Sequence, residues 1–190
     1  MKSLKLITLF LAVFLSAACT EWAVDSTNQG WEYFESGDIS SARTSFEDAT
    51  SWDPSYADAY NGLGWCDLLE DYLSSAIGNF KSALSYTTSL VDASAGAAIA
   101  ATDLGQHSDA VSYADAVINS DPSYLFLHYS KVDIKVIRLV KAKSAAADGD
   151  FSTALAEIQV IEPSFSADAS TPQGQSDILE KIEDLITALY

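Results

Sequence analysis

Histidine and cysteine are both scarce, at two each in 190 residues. His107 and His128 stand 21 positions apart, and no His, Asp or Glu spacing follows a zinc or other metal motif. No glycine-rich phosphate loop follows a strand, and the sequence shows no convincing strands at all. No serine stands in a Gly-x-Ser-x-Gly elbow. No catalytic constellation, metal site or cofactor site is therefore assigned, and the chain reads as a non-enzyme. Positive charge is also thin. Ten Lys and Arg face 27 Asp and Glu, a net charge of −17. A surface so acidic repels phosphate backbones, which excludes nucleic acid as a partner and favours basic or neutral ones. The one long apolar run, Leu6 to Leu15, has ten residues. A permanent membrane span takes about 20.

What is present begins with an address. Lys2 and Lys5 precede the apolar run, and Ser16-Ala17-Ala18-Cys19 follows it. This order is that of an export signal, and its end resembles the lipobox of bacterial lipoproteins, with Ser16 where that family prefers leucine. The resemblance implies a signal peptide over residues 1–18, lipidation of Cys19 and a lipidated tether over 19–26. Ordinary cleavage near Ala18, releasing a soluble protein, is the alternative. Thr20, where inner-membrane retention uses aspartate, implies an outer-membrane anchor facing the periplasm. With Cys19 acylated, Cys66 has no disulfide partner. Its neighbours Asp67, Glu70 and Asp71 are acidic rather than activating, so it reads as a small buried apolar side chain.

The rest of the chain is built on a repeat. Asp53-Pro54-Ser55-Tyr56 returns as Asp121-Pro122-Ser123-Tyr124, 68 residues later, which is twice 34. Steps of 34 carry Ala42 to Ala76 and Ala110, Phe46 to Phe80 and Ala114, Ala49 to Ala83 and Val117, and Gly30 to Gly64 and Ala98. Ala42, Phe46 and Ala49 share one helical face. Asp-Pro predicts a helix start, with Asp as N-cap and Pro in the first turn. Gly37, Gly105 and Gly149 mark turns within units. The pattern resembles the tetratricopeptide repeat. Tyr33 keeps that family's aromatic late in the first helix, whereas Asp67 and Ala101 replace it in the next two units.

The resemblance implies an all-α, right-handed α-solenoid of about four helix pairs over residues 27–163. The fourth unit, matched by Ala154, Ile158 and Ile161, is offset by ten extra residues. These are expected to lengthen the preceding helix, running from about Ser123 to Ala147. A loop over 164–174 then leads to a helix over 175–190. Asp177 and Glu180 have capping-box spacing, and Ile178, Ile182, Leu185 and Ile186 lie on an apolar face that would cap the open end of the stack.

In the tetratricopeptide family the first helix of each unit lines a concave groove. Carried over, that face holds Trp31, Phe34, Asn61, Trp65, Leu68, Ile99 and Thr102, with Glu35 and Asp103 at its edges. Such a groove suits an extended peptide or partner helix with apolar anchors and basic flanks. Burial of the two tryptophans in the core or under the C-terminal helix is the opposing reading. The family's clamp for acidic C-termini needs Lys, Arg and Asn here, and only Asn61 is present. The helix from Ala93 to Ala101, almost all small, is expected to pack tightly, with a pocket beside Ile99 as the alternative. Lys131, Lys135, Arg138 and Lys141 fall on one arc of the lengthened helix. They serve either an anionic surface or charge balance within the solenoid. The whole reads as a lipid-anchored bacterial envelope scaffold or adaptor, joined to the membrane by its N-terminal lipid and binding a protein or peptide. A structural subunit of an envelope assembly or transport complex, and an enzyme with an unrecognised site, are the alternatives.

Overall fold

The computed structural model describes residues 20–189, so the signal segment and the lipidation position Cys19 lie outside the described residues. Among the described residues nine helices follow one another: α1 over residues 20–36, then α2 (Ile39–Trp52), α3 (Ala57–Leu69), α4 (Leu73–Tyr86), α5 (Val91–Asp103), α6 (His107–Ser120), α7 (Ile134–Ala147), α8 (Phe151–Ile161) and α9 (Pro172–Leu189). Among the described residues there is no strand, only an isolated bridge between Leu125 and Asp133, and no helix long and apolar enough to cross a membrane.

Successive helices pack as antiparallel pairs, while α5 also contacts both α3 and α7 directly. The odd-numbered helices thus form an inner layer and the even-numbered ones an outer layer, an α-solenoid. The turns inside units repeat bond for bond. Gly37, Asp71, Gly105 and Gly149 all have φ between 64° and 85°. Each donates its N–H three residues back, and the next residue donates five back: Asp38 to Tyr33, Tyr72 to Asp67, Gln106 to Ala101 and Asp150 to Ala145. This double closure satisfies the carbonyls that a helix end leaves free.

The Asp-Pro tetrapeptides do not start helices. Asp53 ends α2, and its carboxylate accepts from the Ser55 N–H at 2.9 Å. The Tyr56 N–H then donates to the Asp53 carbonyl. With the Asp oxygen used inside the turn, α3 begins after Tyr56 without a side-chain cap. Asp121 makes the same bond to Ser123, and the Phe165 N–H closes the same turn on the Glu162 carbonyl.

The helix expected from Ser123 is absent. Residues 121–133 are not helical, and α7 starts at Ile134, where Asp133 accepts from the N–H groups of Lys135 and Val136. The extra residues therefore form a loop, not a longer helix. Residues 20–26 of the expected tether, 19–26, are instead the beginning of α1. Ala23, fully buried, packs with Ala49 and Ala59 there. The last helix starts three residues earlier than 175, at Pro172. Thr171 sits just before it and accepts from the Gly174 N–H, so Asp177 and Glu180 lie inside the helix rather than at its cap. On α9, Ile178 and Ile182 are buried against α7 and α8, closing the end of the stack.

Candidate functional site: the concave face

On the concave side, Trp31, Phe34 and Trp65 meet one segment, and Trp65, Leu68, Ile99 and Thr102 line one cavity, whereas Asn61 is buried among the helices. Half of that face is already filled. Residues 124–132 leave the end of α6 and lie in it as a narrow hairpin. The Phe126 N–H donates to the Val132 carbonyl at 2.9 Å, and the Ile134 N–H donates to the Tyr124 carbonyl at 2.8 Å. Tyr124, Phe126 and His128 point inward, whereas Leu125 and Leu127 are 47% and 82% exposed. This is the period-two alternation of an extended segment with one buried face.

Each inward side chain meets an inner helix. The Tyr124 O–H donates to Asp92 of α5 at 2.9 Å. Phe126 stacks on Trp65 of α3, with ring centroids 4.2 Å apart. His128 stacks on Trp31 of α1 at 4.1 Å, nearly parallel, and its Nδ1 donates to Glu35 at 2.7 Å. The segment therefore crosses the groove from the third unit to the first. Trp31 and Trp65 are buried, but under this hairpin and not under the C-terminal helix.

Asn61 is fully buried. Its amide donates to Asp58, which also accepts from Trp31 Nε1 at 3.0 Å. Thr102 joins α5 to α7 through Ser144, 2.8 Å away. Burial raises the Asp92 carboxyl above the usual range, against the lowering effect of the Tyr124 hydroxyl. The Tyr124 hydroxyl is itself pushed upward by burial and by Asp92.

The other half of the face is open. A cavity of about 310 Å³ lies between α3, α5, α7, the hairpin and the end of α9. Leu68, Ile99, Val136 and Ile186 give it apolar walls, and Lys131 and Asp71 are among its polar lining residues. The pocket beside Ile99 thus exists, although the small residues of α5 also pack tightly: Ala93, Ala95, Ala97 and Ala98 are fully buried.

The basic stripe does not survive as one surface. Lys131 lies in the loop, with its ammonium 5.8 Å from the centre of the Tyr129 ring. Lys135 is on α7. Arg138 and Lys141 face inward onto α8 and α6: Arg138 pairs with Glu157 at 2.6 Å, and Lys141 pairs with Glu157 and Asp115 at 2.7 Å. Burial works against the Lys141 charge, but Asp115 and Glu157 outweigh it and hold the ammonium above its ordinary range. Among the described residues no group of three His, Cys, Asp or Glu could hold a metal ion.

Sequence reasoning missed Tyr124, Phe126, His128, Asp58 and Asp92. Two signals were available: the alternation from Tyr124 to His128, and the interval of 34 between Asp58 and Asp92, which matches that between Trp31 and Trp65.

Residues 27–84 match the family described as tetratricopeptide repeat. No curated protein matches the chain. Among solved structures the chain is similar to YrrB, a TPR protein with an unusual peptide-binding site, at 18% identity and a TM-score of 0.67 over 86% of each chain. It is similar to MamA at 18% identity and a TM-score of 0.59, over 87% of this chain and 81% of that one. It is also similar to the first TPR of Spaghetti (RPAP3) bound to an HSP90 peptide, at 16% identity and a TM-score of 0.54, over 62% of this chain and 94% of that one. The repeat match and these likenesses identify the tetratricopeptide-repeat fold.

Proposed function

We propose that the chain is a protein-interaction scaffold of the bacterial envelope, held to the membrane through a lipid on Cys19, and that it takes its partner on the concave face. One observation carries the reading: this face already accommodates an extended segment, side chain by side chain, and leaves an apolar cavity beside it. YrrB and the RPAP3 domain are neighbours in fold that bind peptides, which supports a protein or peptide as the occupant. The preferred charge differs from that of the HSP90 peptide, SRMEEVD. Glu35, Asp58 and Asp92 border the filled half here, and the only clamp residue, Asn61, is buried and bonded to Asp58. A basic or neutral partner fits. Lipidation of Cys19 and an outer-membrane, periplasm-facing position rest on the sequence resemblance, and catalysis is no part of the reading.

The test is crosslinking in the native envelope with three forms: wild type, Cys19→Ala and Ile99→Lys. Ile99 lines the cavity, and a lysine there puts a charge among apolar walls. A partner captured by wild type and lost from a folded Ile99→Lys form supports the concave face. Unchanged capture by that variant would remove it. Loss of membrane association in Cys19→Ala tests the anchor separately. Trp31→Ala and Trp65→Ala are poor probes, since both rings are core.

A further inference from the structure

The hairpin interrupts the repeat at one hydrogen bond. In the first unit Trp31 Nε1 donates to Asp58. One period of 34 later, the same two places hold Trp65 and Asp92. That bond is not made. Asp92 accepts from Tyr124 instead, and Trp65 Nε1 is buried with no partner. A buried indole N–H without an acceptor is costly, and the repeat carries the acceptor for it in the adjacent unit. Tyr124 occupies Asp92 Oδ1, and with the hairpin in place the Trp65 N–H does not reach the other carboxylate oxygen.

Resting on the concave-face reading, we propose that residues 124–132 are a displaceable resident of this groove. The site they fill takes from a partner protein an extended segment with aromatic rings at alternate positions and a positive group facing Glu35. Departure of the hairpin removes Phe126 from the face of Trp65, and a turn of that ring toward Asp92 would form in the second and third units the bond already present between the first and second. The supports on either side do not depend on the groove. Asp121 closes its turn on Ser123, and Asp133 caps α7 through Lys135 and Val136, so both ends keep their bonds when the middle moves. Among the described residues no further layer covers the exposed outer side, Leu125 and Leu127. Departure uncovers the faces of Trp31 and Trp65, and rings from the partner must replace Phe126 and His128. The resident segment itself shows which chemistry fits: a hydroxyl or other donor at Asp92, a ring on Trp65, and a flat cationic or imidazole group between Trp31 and Glu35.

The test uses the full mature chain and a labelled synthetic peptide with the sequence of residues 121–133. In the variant Tyr124→Ala/Phe126→Ala/His128→Ala, the resident segment loses its three inward side chains. The peptide should bind this variant at least about tenfold tighter than wild type, and a scrambled peptide should bind neither. Equal binding to both forms, or none to a folded variant, overturns the proposal. Hydrogen exchange on the unmodified protein gives an independent reading if the variant fails to fold. The Phe126 and Ile134 amides, bonded within the hairpin, should exchange by local opening at least about tenfold faster than amides in the middle of α5. Exchange at the α5 rate would make the hairpin permanent core. Hairpin exchange between two copies, seen as a dimer lost in the triple variant, would replace the foreign segment with a second chain and also overturn the proposal. In each of these cases Ile99-dependent capture can still stand, so failure here is separable from failure of the scaffold reading.

Discussion

Phe46 and Gly62 touch so closely that a Cβ on the glycine would overlap the phenylalanine ring, and on the other side of that ring a Cβ at Gly30 would lie 2.6 Å away. The next unit repeats the sandwich, with Phe80 between Gly64 and Gly96. The columns change together in the third unit: Ala114 takes the phenylalanine place and Ala98 the glycine place. A smaller knob needs a shallower hole. Gly62→Ala should therefore destabilise the protein by about 1–3 kcal/mol, the range for forcing volume into a packed core. Gly62→Ala/Phe46→Leu should cost less than the sum of the two single changes, because the leucine relieves the overlap. Urea unfolding of the four forms measures the coupling, and additive values would sink the sandwich as the reason for the glycine.

Asp71 holds φ at 64°, in a place where the other three units have glycine. A non-glycine residue in the left-handed region carries strain of about 1 kcal/mol or more. Asp71→Gly should raise stability by roughly that amount and the thermal midpoint by about 2–4 °C for a domain of this size. Calorimetry decides, and a lowered midpoint would show that the Asp71 side chain contributes more than its backbone costs.

The parts of the fold that repeat were legible, and the part that interrupts them was not. Alanine and phenylalanine columns, and glycines at turns, recur because each unit poses the same packing problem at the same place. A period of 34 therefore located Ala42, Phe46, Gly64 and Gly105 correctly. Ten added residues contain no information from the repeat. Reading them as helix overlooked Asp133, whose carboxylate caps α7, and the alternation of Tyr124, Phe126 and His128. The groove positions lie on α1, α3 and α5, yet the exposure of Trp31 and Trp65 depends on a hairpin 59 or more residues away in sequence from Trp65. Spacing places a side chain on a face, whereas what covers that face is a tertiary fact. The Asp-Pro turns failed for a smaller reason: Asp53 has one carboxylate, and Ser55, two residues on, reaches it before any helix begins.

Asp67 stands where the repeat usually carries an aromatic, and it is nearly fully buried. It accepts from Arg43 of α2 at 2.6 Å and from Asn79 of α4 at 2.7 Å, so one carboxylate joins three helices. Asp67→Ala leaves Arg43 facing Glu70 alone and should cost about 3 kcal/mol, as for a broken buried pair. Arg43→Ala should cost at least as much, about 3 kcal/mol, because it leaves the nearly buried Asp67 carboxylate with Asn79 as its remaining donor. A double-mutant cycle by urea unfolding should return a coupling that 1 M salt does not erase; loss of coupling in salt would make the pair a surface one.

Cys66 offers a probe of the same helix. Burial pushes its thiol up to about 12, against the Arg43 charge, which lowers it. At pH 8 the native thiol should react with iodoacetamide at least about a hundredfold more slowly than in 6 M urea, since the thiolate is the nucleophile. Comparable rates would mean that α3 opens readily.

Asp92 and the exposed turn carboxylates respond to acid in opposite directions. Burial raises Asp92, with Asp58 adding to the rise and Tyr124 and His128 opposing it. A group whose folded pKa exceeds its unfolded value of about 3.9 gives its stabilisation below that value and loses it as pH rises through the folded pKa. Asp38, Asp53, Asp150 and Asp168 are lowered by hydrogen bonds from Ser41, Ser55, Thr153 and Ser170. Their contribution is present at neutral pH and is lost as pH falls through their folded values. Asp92→Asn keeps an acceptor for Tyr124 and removes the buried charge. The variant should match wild type at pH 3.5, where Asp92 is largely protonated in both states, and should exceed it at pH 7. The turn carboxylates are shared by both proteins, so they cancel in the difference and only Asp92 remains. Urea midpoints at pH 3.5, 5, 6 and 7 measure that difference. A gap that widens with pH places the cost at the Asp92 carboxylate held under Tyr124, whereas a gap that is flat, or that reverses in favour of wild type, would mean that the negative charge strengthens the hairpin's hold on α5.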